Sequence, residues 1–168
     1  FRSPELLAKR LDAKEKVYEQ KWVVALSGIM FVAAFVVAGL NFRFSWHSLP
    51  DNVIWSGAGI FLFSYLIYAE VMRENAFLSR TIEIQENQKV IDTGLYGVVR
   101  HPMYSATLLM FLSIPLILGS IISFAIMLAY IPIIAIRMNN EEKVLEEGLK
   151  GYREYKQKVR YKVIPIIW

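Results

Sequence analysis

The sequence predicts an all-α protein, a polytopic transmembrane helical bundle with amphipathic segments on the cytosolic side. Three observations predict it. The 168 residues are 55% hydrophobic with a mean hydropathy of +0.37, against ~45–50% apolar residues in soluble domains. The apolar residues are gathered into long uncharged runs rather than scattered. The cations alternate in number from one connecting segment to the next, as they do in membrane proteins.

The first run, 22–40, has no charge over 19 positions, or roughly 29 Å of helix, about the thickness of the hydrocarbon core. The second run, 53–69, lies between Asp51 and Glu70 and is expected to give a span over 53–70, since snorkelling at its ends extends its reach. The third run, 103–136, is 34 residues long. As one helix it would measure about 51 Å, too long for a bilayer, so it must turn. Leu118, Gly119 and Ser120 at its middle mark a tight helical hairpin, which divides it into spans over 103–118 and 120–137.

The 19 Lys and Arg fall 6, 1, 4, 0 and 8 into the segments before, between and after these spans. Both termini and the segment from Arg73 to Arg100 are therefore expected in the cytosol. A pI of about 9.3 then reflects cations facing anionic headgroups and implies no nucleic-acid partner. The chain has no cysteine and only His47 and His101, which excludes disulfides and thiolate chemistry and leaves no histidine-rich metal site.

Ser3, Pro4 and Glu5 suit a helix start, and Leu6, Leu7 and Leu11 against Lys9, Arg10, Lys14 and Lys16 read as an amphipathic helix on the membrane surface. Trp46 and Pro50 fit an interfacial loop, with His47 expected to be incidental. The segment 71–99 exceeds the ~12–15 residues of an ordinary connection and is expected to be a folded functional loop, with turns at Gly94 and Gly97. Asn139 to Gly151 reads as a helix continuing past the fourth span. The tail closes with Ile164, Pro165, Ile166, Ile167 and Trp168, a strip suited to the interface.

Two polar clusters flank the hairpin: Arg100, His101, Pro102, Met103 and Tyr104 before the third span, and Arg137, Asn139, Asn140, Glu141 and Glu142 after the fourth. Both helices run from one face to the Gly119 turn and back, so the clusters should be neighbours. Pro102 suits a first helical turn whose free amides attract an anion. Arg100 offers a forked cation to a carboxylate or phosphate, with Arg137 a second one. Glu141 and Glu142 suit an ammonium group or hydroxyls. A zwitterion fits this set. Equally, Arg100 fits a membrane anchor, His101 a helix cap, and Arg137 with Glu141 an i, i+4 pair. Gly57 and Gly59 read as small-residue packing positions.

The run DTGLYGVVRHPMYSA, the later RMNNEEKVLEEGLKGYREYKQKVRYKVIP, and the earlier AGLNFRFSWHSLP and MRENAFLSRTIEIQE resemble the isoprenylcysteine carboxyl methyltransferase family, integral membrane methyltransferases, in its prokaryotic branch. The resemblance spans essentially the whole chain. R-H-P-x-Y at one helix start with E-E after the next hairpin marks a superfamily that includes phospholipid methyltransferases, and R-H-P-x-Y-like runs also occur in membrane sterol reductases.

The resemblance implies an S-adenosylmethionine pocket built from the third and fourth spans and the tail of a single domain. His101, Tyr104, Glu141 and Glu142 would contact the cofactor. Arg100, as the catalytic residue, would face the substrate carboxylate, with Arg137 beside it. The acceptor would be the carboxylate of a prenylated or similarly lipophilic substrate, which is ionised at neutral pH with a pKa near ~3.5 and needs no general base. Relatives often carry Pro where this chain has Leu95 and Gly where it has Ala106, and usually one or two further spans upstream, so Phe1 is expected not to be the native start. The competing readings are a phospholipid N-methyltransferase, an NADPH-dependent sterol-type reductase and a non-enzymatic membrane scaffold.

Overall fold

Five long or short α-helices follow the first in a computed structural model that describes residues 18–46, 48–79 and 82–168. The amphipathic helix expected at the N-terminus, His47 and Arg80 lie outside the described residues. Helix α1 is Tyr18–Phe44, α2 Asp51–Glu74, α3 Pro102–Ile117, α4 Ile121–Met127, α5 Tyr130–Gly148 and α6 Tyr152–Lys158, with a 3-10 turn at Gly94–Gly97. Among the described residues there is no strand. The fold is an all-α bundle with three segments long and apolar enough to cross a membrane: Lys21–Phe44, Asp51–Glu74 and Ile121–Gly148.

The third expected span, 103–118, falls on helix α3, which is shorter than the three membrane-length segments. Helix α3 has only 16 residues, about 24 Å, because Pro102 fixes its start and Gly119 its end. Gly119 takes the left-handed conformation, φ +68°, which costs glycine nothing. Its carbonyl accepts a hydrogen bond from the Leu49 amide at 3.2 Å, so the α1–α2 loop and the hairpin turn meet at one end of the bundle. The loop 75–101 and the tail occupy the other end.

The fourth expected span, 120–137, is not one uninterrupted helix. It divides into α4 and α5 at Leu128 and Ala129, where the bonds Ala129 N–H to Ile126 O and Ile131 N–H to Leu128 O tighten the path to the i→i+3 pattern. Pro132 is the cause. It has no N–H for the Leu128 carbonyl, and its ring crowds that carbonyl.

Helix α2 buries only Gly57, Ser64 and Val71, a seam with a seven-residue spacing that faces α3. A Cβ on Gly57 would stand 2.9 Å from Leu116 Cβ and 3.3 Å from the Ile117 amide, so the missing side chain lets the two backbones close. Gly59 has nothing within 4 Å of such an atom and is not part of this contact. Trp55, Leu62, Phe63 and Leu66 on the outer face are exposed, as befits a lipid-facing surface. The core joins Met30 and Ala34 of α1, Leu108 of α3, Met127 of α4, Tyr130, Ile134 and Met138 of α5, and Val163 of the tail. Phe111 meets Phe31 and Tyr130 edge-on, with ring centroids 4.7 and 5.1 Å apart.

Candidate functional site

Both polar clusters come together at the end of the bundle opposite Gly119, and the tail is strapped across them. Arg100 and His101 donate their amides to the carbonyls of Tyr161 (2.9 Å) and Lys162 (2.8 Å). Ser105 Oγ donates to Val163 O at 2.6 Å. Arg100 Nη1 donates to the carbonyls of Val159 (2.8 Å) and Arg160 (2.7 Å). A chain end with no helix of its own thus satisfies its backbone on the start of α3.

Glu142 is the centre of this arrangement. Its Oε1 accepts from Arg100 Nε at 2.8 Å and contacts His101 Nε2 at 3.1 Å, and its Oε2 lies 3.3 Å from Lys162 Nζ and 3.4 Å from Lys156 Nζ. The side chains of Arg100 and Glu142 are each 4% exposed. A carboxylate this deep stands only because cations surround it.

Glu141, one residue earlier, goes elsewhere. It lines a cavity of about 360 Å³, within the ~300–1,000 Å³ of small-molecule sites. The Tyr104 hydroxyl donates to Glu141 Oε2 at 2.5 Å, and Arg137 Nε donates to the same hydroxyl oxygen at 3.1 Å. Adjacent helical positions diverge by about 100°, so one carboxylate meets the cavity and the other the tail. Glu142 is not on the cavity wall.

Arg100, His101, Tyr104, Arg137 and Glu141 all line this cavity, so five of the six expected site residues share it. Arg100 is not the open guanidinium expected to meet a substrate carboxylate, because Nε and Nη1 are engaged by Glu142 and the tail. The expected anion site at the helix start is also reduced: the amides of Tyr104 and Ser105 both return to the His101 carbonyl, at 3.0 and 3.2 Å.

The long loop supplies the opposite wall through Asn75, Phe77, Ile82, Glu83, Lys89 and Val90. Asn75 Nδ2 donates to Tyr96 Oη at 2.9 Å, and Tyr155 Oη donates to Tyr96 O at 2.8 Å. Both oxygens of the Glu74 carboxylate accept from the Leu95 amide, at 3.2 and 3.1 Å. Proline at position 95 would have no proton to give, so this departure from the resembling sequences makes a contact of its own. Gly94, at φ +54°, leaves the space that the Glu74 carboxylate fills. Ala106, the other departure, is fully buried and off the cavity wall.

Tyr96, Tyr152 and Tyr155, which sequence reasoning did not assign to the site, complete the wall. Burial pushes all three hydroxyls well above the usual tyrosine range, so they remain protonated. Lys156 is raised by its hydrogen bond to Glu146, against a smaller effect of burial, and then by Glu142. The signal that could have found the tyrosines is local: Gly151, at φ +88°, opens α6, and Tyr152 and Tyr155 follow on one helical face.

The cavity therefore joins the Glu141 carboxylate, with Tyr104 and Arg137 beside it, to an aromatic and apolar wall. It could hold a cofactor that is cationic at one side and flat at the other. Among the described residues no group of His, Cys, Asp or Glu could hold a metal ion. Residues 53–151, more than half of the chain, match the family model described as phospholipid methyltransferase. No curated protein matches the sequence.

Proposed function

Because the chain belongs to the phospholipid methyltransferase family, we propose that this integral membrane methyltransferase methylates the amine headgroup of a membrane lipid in the cavity beside Glu141. The single observation that carries the reading is the division of the acidic pair. Glu142 is neutralised internally, whereas Glu141 stands on the cavity wall with Tyr104 holding one oxygen.

The residues present fit S-adenosylmethionine. Glu141 suits its ammonium group, the volume is adequate, and the tyrosine-rich end suits its ring system. When bound, this cofactor supplies a methyl group on a sulfonium sulfur, which leaves with the bonding pair as the acceptor forms its new bond to carbon. The protein's share is positional. Phe77, Ile82 and Val90 of the long loop put apolar surface on the wall that would keep water from the reacting groups, and α3 and α5 hold Tyr104, Arg137 and Glu141 in fixed mutual geometry. A lipid ammonium must lose a proton before it attacks, and Glu83, the carboxylate on the wall that the cofactor's ammonium would leave free, would receive it. The charge alternation of the loops supports placing this end of the bundle in the cytosol.

A second reading keeps the carboxylate of an isoprenylcysteine-like lipid as acceptor. It is favoured by two cations on the wall besides Arg100, namely Arg137 and Lys89, and by the motif resemblance. Arg100 then supports the site from behind through Glu142 rather than meeting the substrate. A methyltransferase family lends no support to a reductase or a scaffold.

Purified protein in phospholipid nanodiscs, given methyl-labelled S-adenosylmethionine, tests this. Label in a phosphatidylethanolamine product is the expected outcome. Base-labile label on a prenylcysteine analogue alone would replace the amine reading with the second one, and label in neither acceptor would overturn both.

A further inference from the structure

The tail ends in a turn whose position along α3 is fixed by hydrogen bonds. The carbonyls of Tyr161 and Lys162 take the amides of Arg100 and His101, and the Val163 carbonyl takes the Ser105 hydroxyl. Rising residue numbers in the tail thus meet rising numbers in α3, so the tail runs along that helix from its start towards its interior. Val163 is 2% exposed and belongs to the core that contains Leu108 and Met138, and Trp168 packs against the same core. Leu108 stands six residues, about 9 Å, past the start of α3 at Pro102. The turn 163–168 therefore lies at the depth of the apolar bundle and not beyond its polar end.

Two features suit this turn to lipid rather than water. Its backbone is closed on itself: the Val163 and Ile164 amides donate to the Trp168 carbonyl at 2.9 and 2.8 Å, and the Ile167 and Trp168 amides to the Ile164 carbonyl at 3.2 and 2.9 Å. Pro165 has no amide to satisfy. Irregular backbone persists at membrane depth only where its polar groups are met within the protein. The outward side of the turn is apolar, with Ile164, Ile166 and Ile167 38%, 83% and 78% exposed. Ile166 takes the left-handed conformation, φ +72°, an unfavourable one for a β-branched residue, and its exposure leaves little packing within the protein in return. Acyl chains supply the missing apolar contact. Exposed Arg160 and Tyr161 precede the turn, a cation and an aromatic ring of the kinds that favour the headgroup region.

We propose that the turn 163–168 is a membrane anchor, with Ile164, Ile166 and Ile167 seated among the acyl chains of the leaflet at the end of the bundle opposite Gly119. Because the same segment straps Arg100 and His101, the anchor ties the cavity wall to the bilayer. The inference needs the membrane bundle but neither methyl acceptor, so it stands apart from the reading above.

Single cysteines carrying an environment-sensitive fluorophore, in phospholipid nanodiscs, test it, since the chain has no cysteine of its own. Ile166→Cys and, separately, Ile167→Cys are compared with Leu62→Cys on the outer face of α2 and Glu86→Cys on the exposed part of the long loop. Both tail probes should match Leu62→Cys, with blue-shifted emission, loss of fluorescence to phospholipids brominated on their acyl chains, and no loss to aqueous iodide. Iodide quenching at the level of Glu86→Cys, without loss to brominated lipid, would overturn the anchor. Quenching by neither would overturn it as well, because a second copy of the chain would then cover the turn.

Discussion

Arg100 and Glu142, 42 positions apart in sequence, meet at 2.8 Å with both side chains 4% exposed. The pair closes the end of the bundle, because the same guanidinium also donates to the carbonyls of Val159 and Arg160. Glu142 is in turn reached by His101, Lys156 and Lys162. One carboxylate thus fixes the start of α3, the polar end of α5, α6 and the tail relative to one another.

Glu142→Gln and Glu141→Gln should therefore behave differently although they are neighbours. Removing the Glu142 charge leaves a buried guanidinium unpaired, a loss of about 3–5 kcal/mol, and should lower the melting temperature and expose the tail to protease. Glu141→Gln should leave melting nearly unchanged and weaken S-adenosylhomocysteine binding, by about 1–3 kcal/mol for a charge-assisted contact. Thermal melts and calorimetry on the two variants decide it; identical profiles would mean that the pair acts as one unit.

Arg100→Lys should lose stability and turnover together. An ammonium cannot serve Glu142 and two carbonyls with the fixed fork of a guanidinium, so the tail would detach whichever acceptor is used. Methyl transfer to an ethanolamine lipid and to a prenylcysteine analogue should fall by the same factor. A loss confined to the acid acceptor, with melting unchanged, would instead put Arg100 in contact with a substrate carboxylate.

Gly57 and Gly59 give a paired test of the α2–α3 contact. Gly57→Ala forces a Cβ against Leu116 and Ile117 and should cost about 1–3 kcal/mol by overpacking. Gly59→Ala meets nothing and should be neutral or gain ~0.5–1 kcal/mol from helix propensity. The difference in melting temperature between the two variants is the measurement. A destabilised Gly59→Ala with a tolerated Gly57→Ala would reverse the packing seam.

Orientation can be read from single cysteines, since the chain has none of its own. Ser120 is unsuited as a probe because it is buried and its hydroxyl accepts from the Ser123 amide at 3.3 Å. Leu118→Cys, beside the turn and 44% exposed, should react with an impermeant maleimide only from outside sealed vesicles. Glu86→Cys, on the exposed part of the long loop, should react only from the cytosolic side. Labelling of both from one side would contradict the positive-inside orientation.

The sequence by itself determined which stretches are apolar helices and where the chain doubles back, because charge-free runs and a central glycine are local properties that solvent reads directly. It also brought Arg100, His101, Tyr104, Arg137 and Glu141 to one place, since a hairpin of known rise leaves little choice. Pro132 was there to mark the break between α4 and α5, a signal outweighed by the unbroken hydropathy around it. Only the tertiary structure decided which of two adjacent glutamates faces the cavity, because a rotation of about 100° per residue matters only once the neighbours are in place. It alone turned Arg100 inward, through tail carbonyls some 60 positions away, and left the Tyr152 hydroxyl without a partner. Such pairings depend on where distant backbone stops, which composition and periodicity do not record.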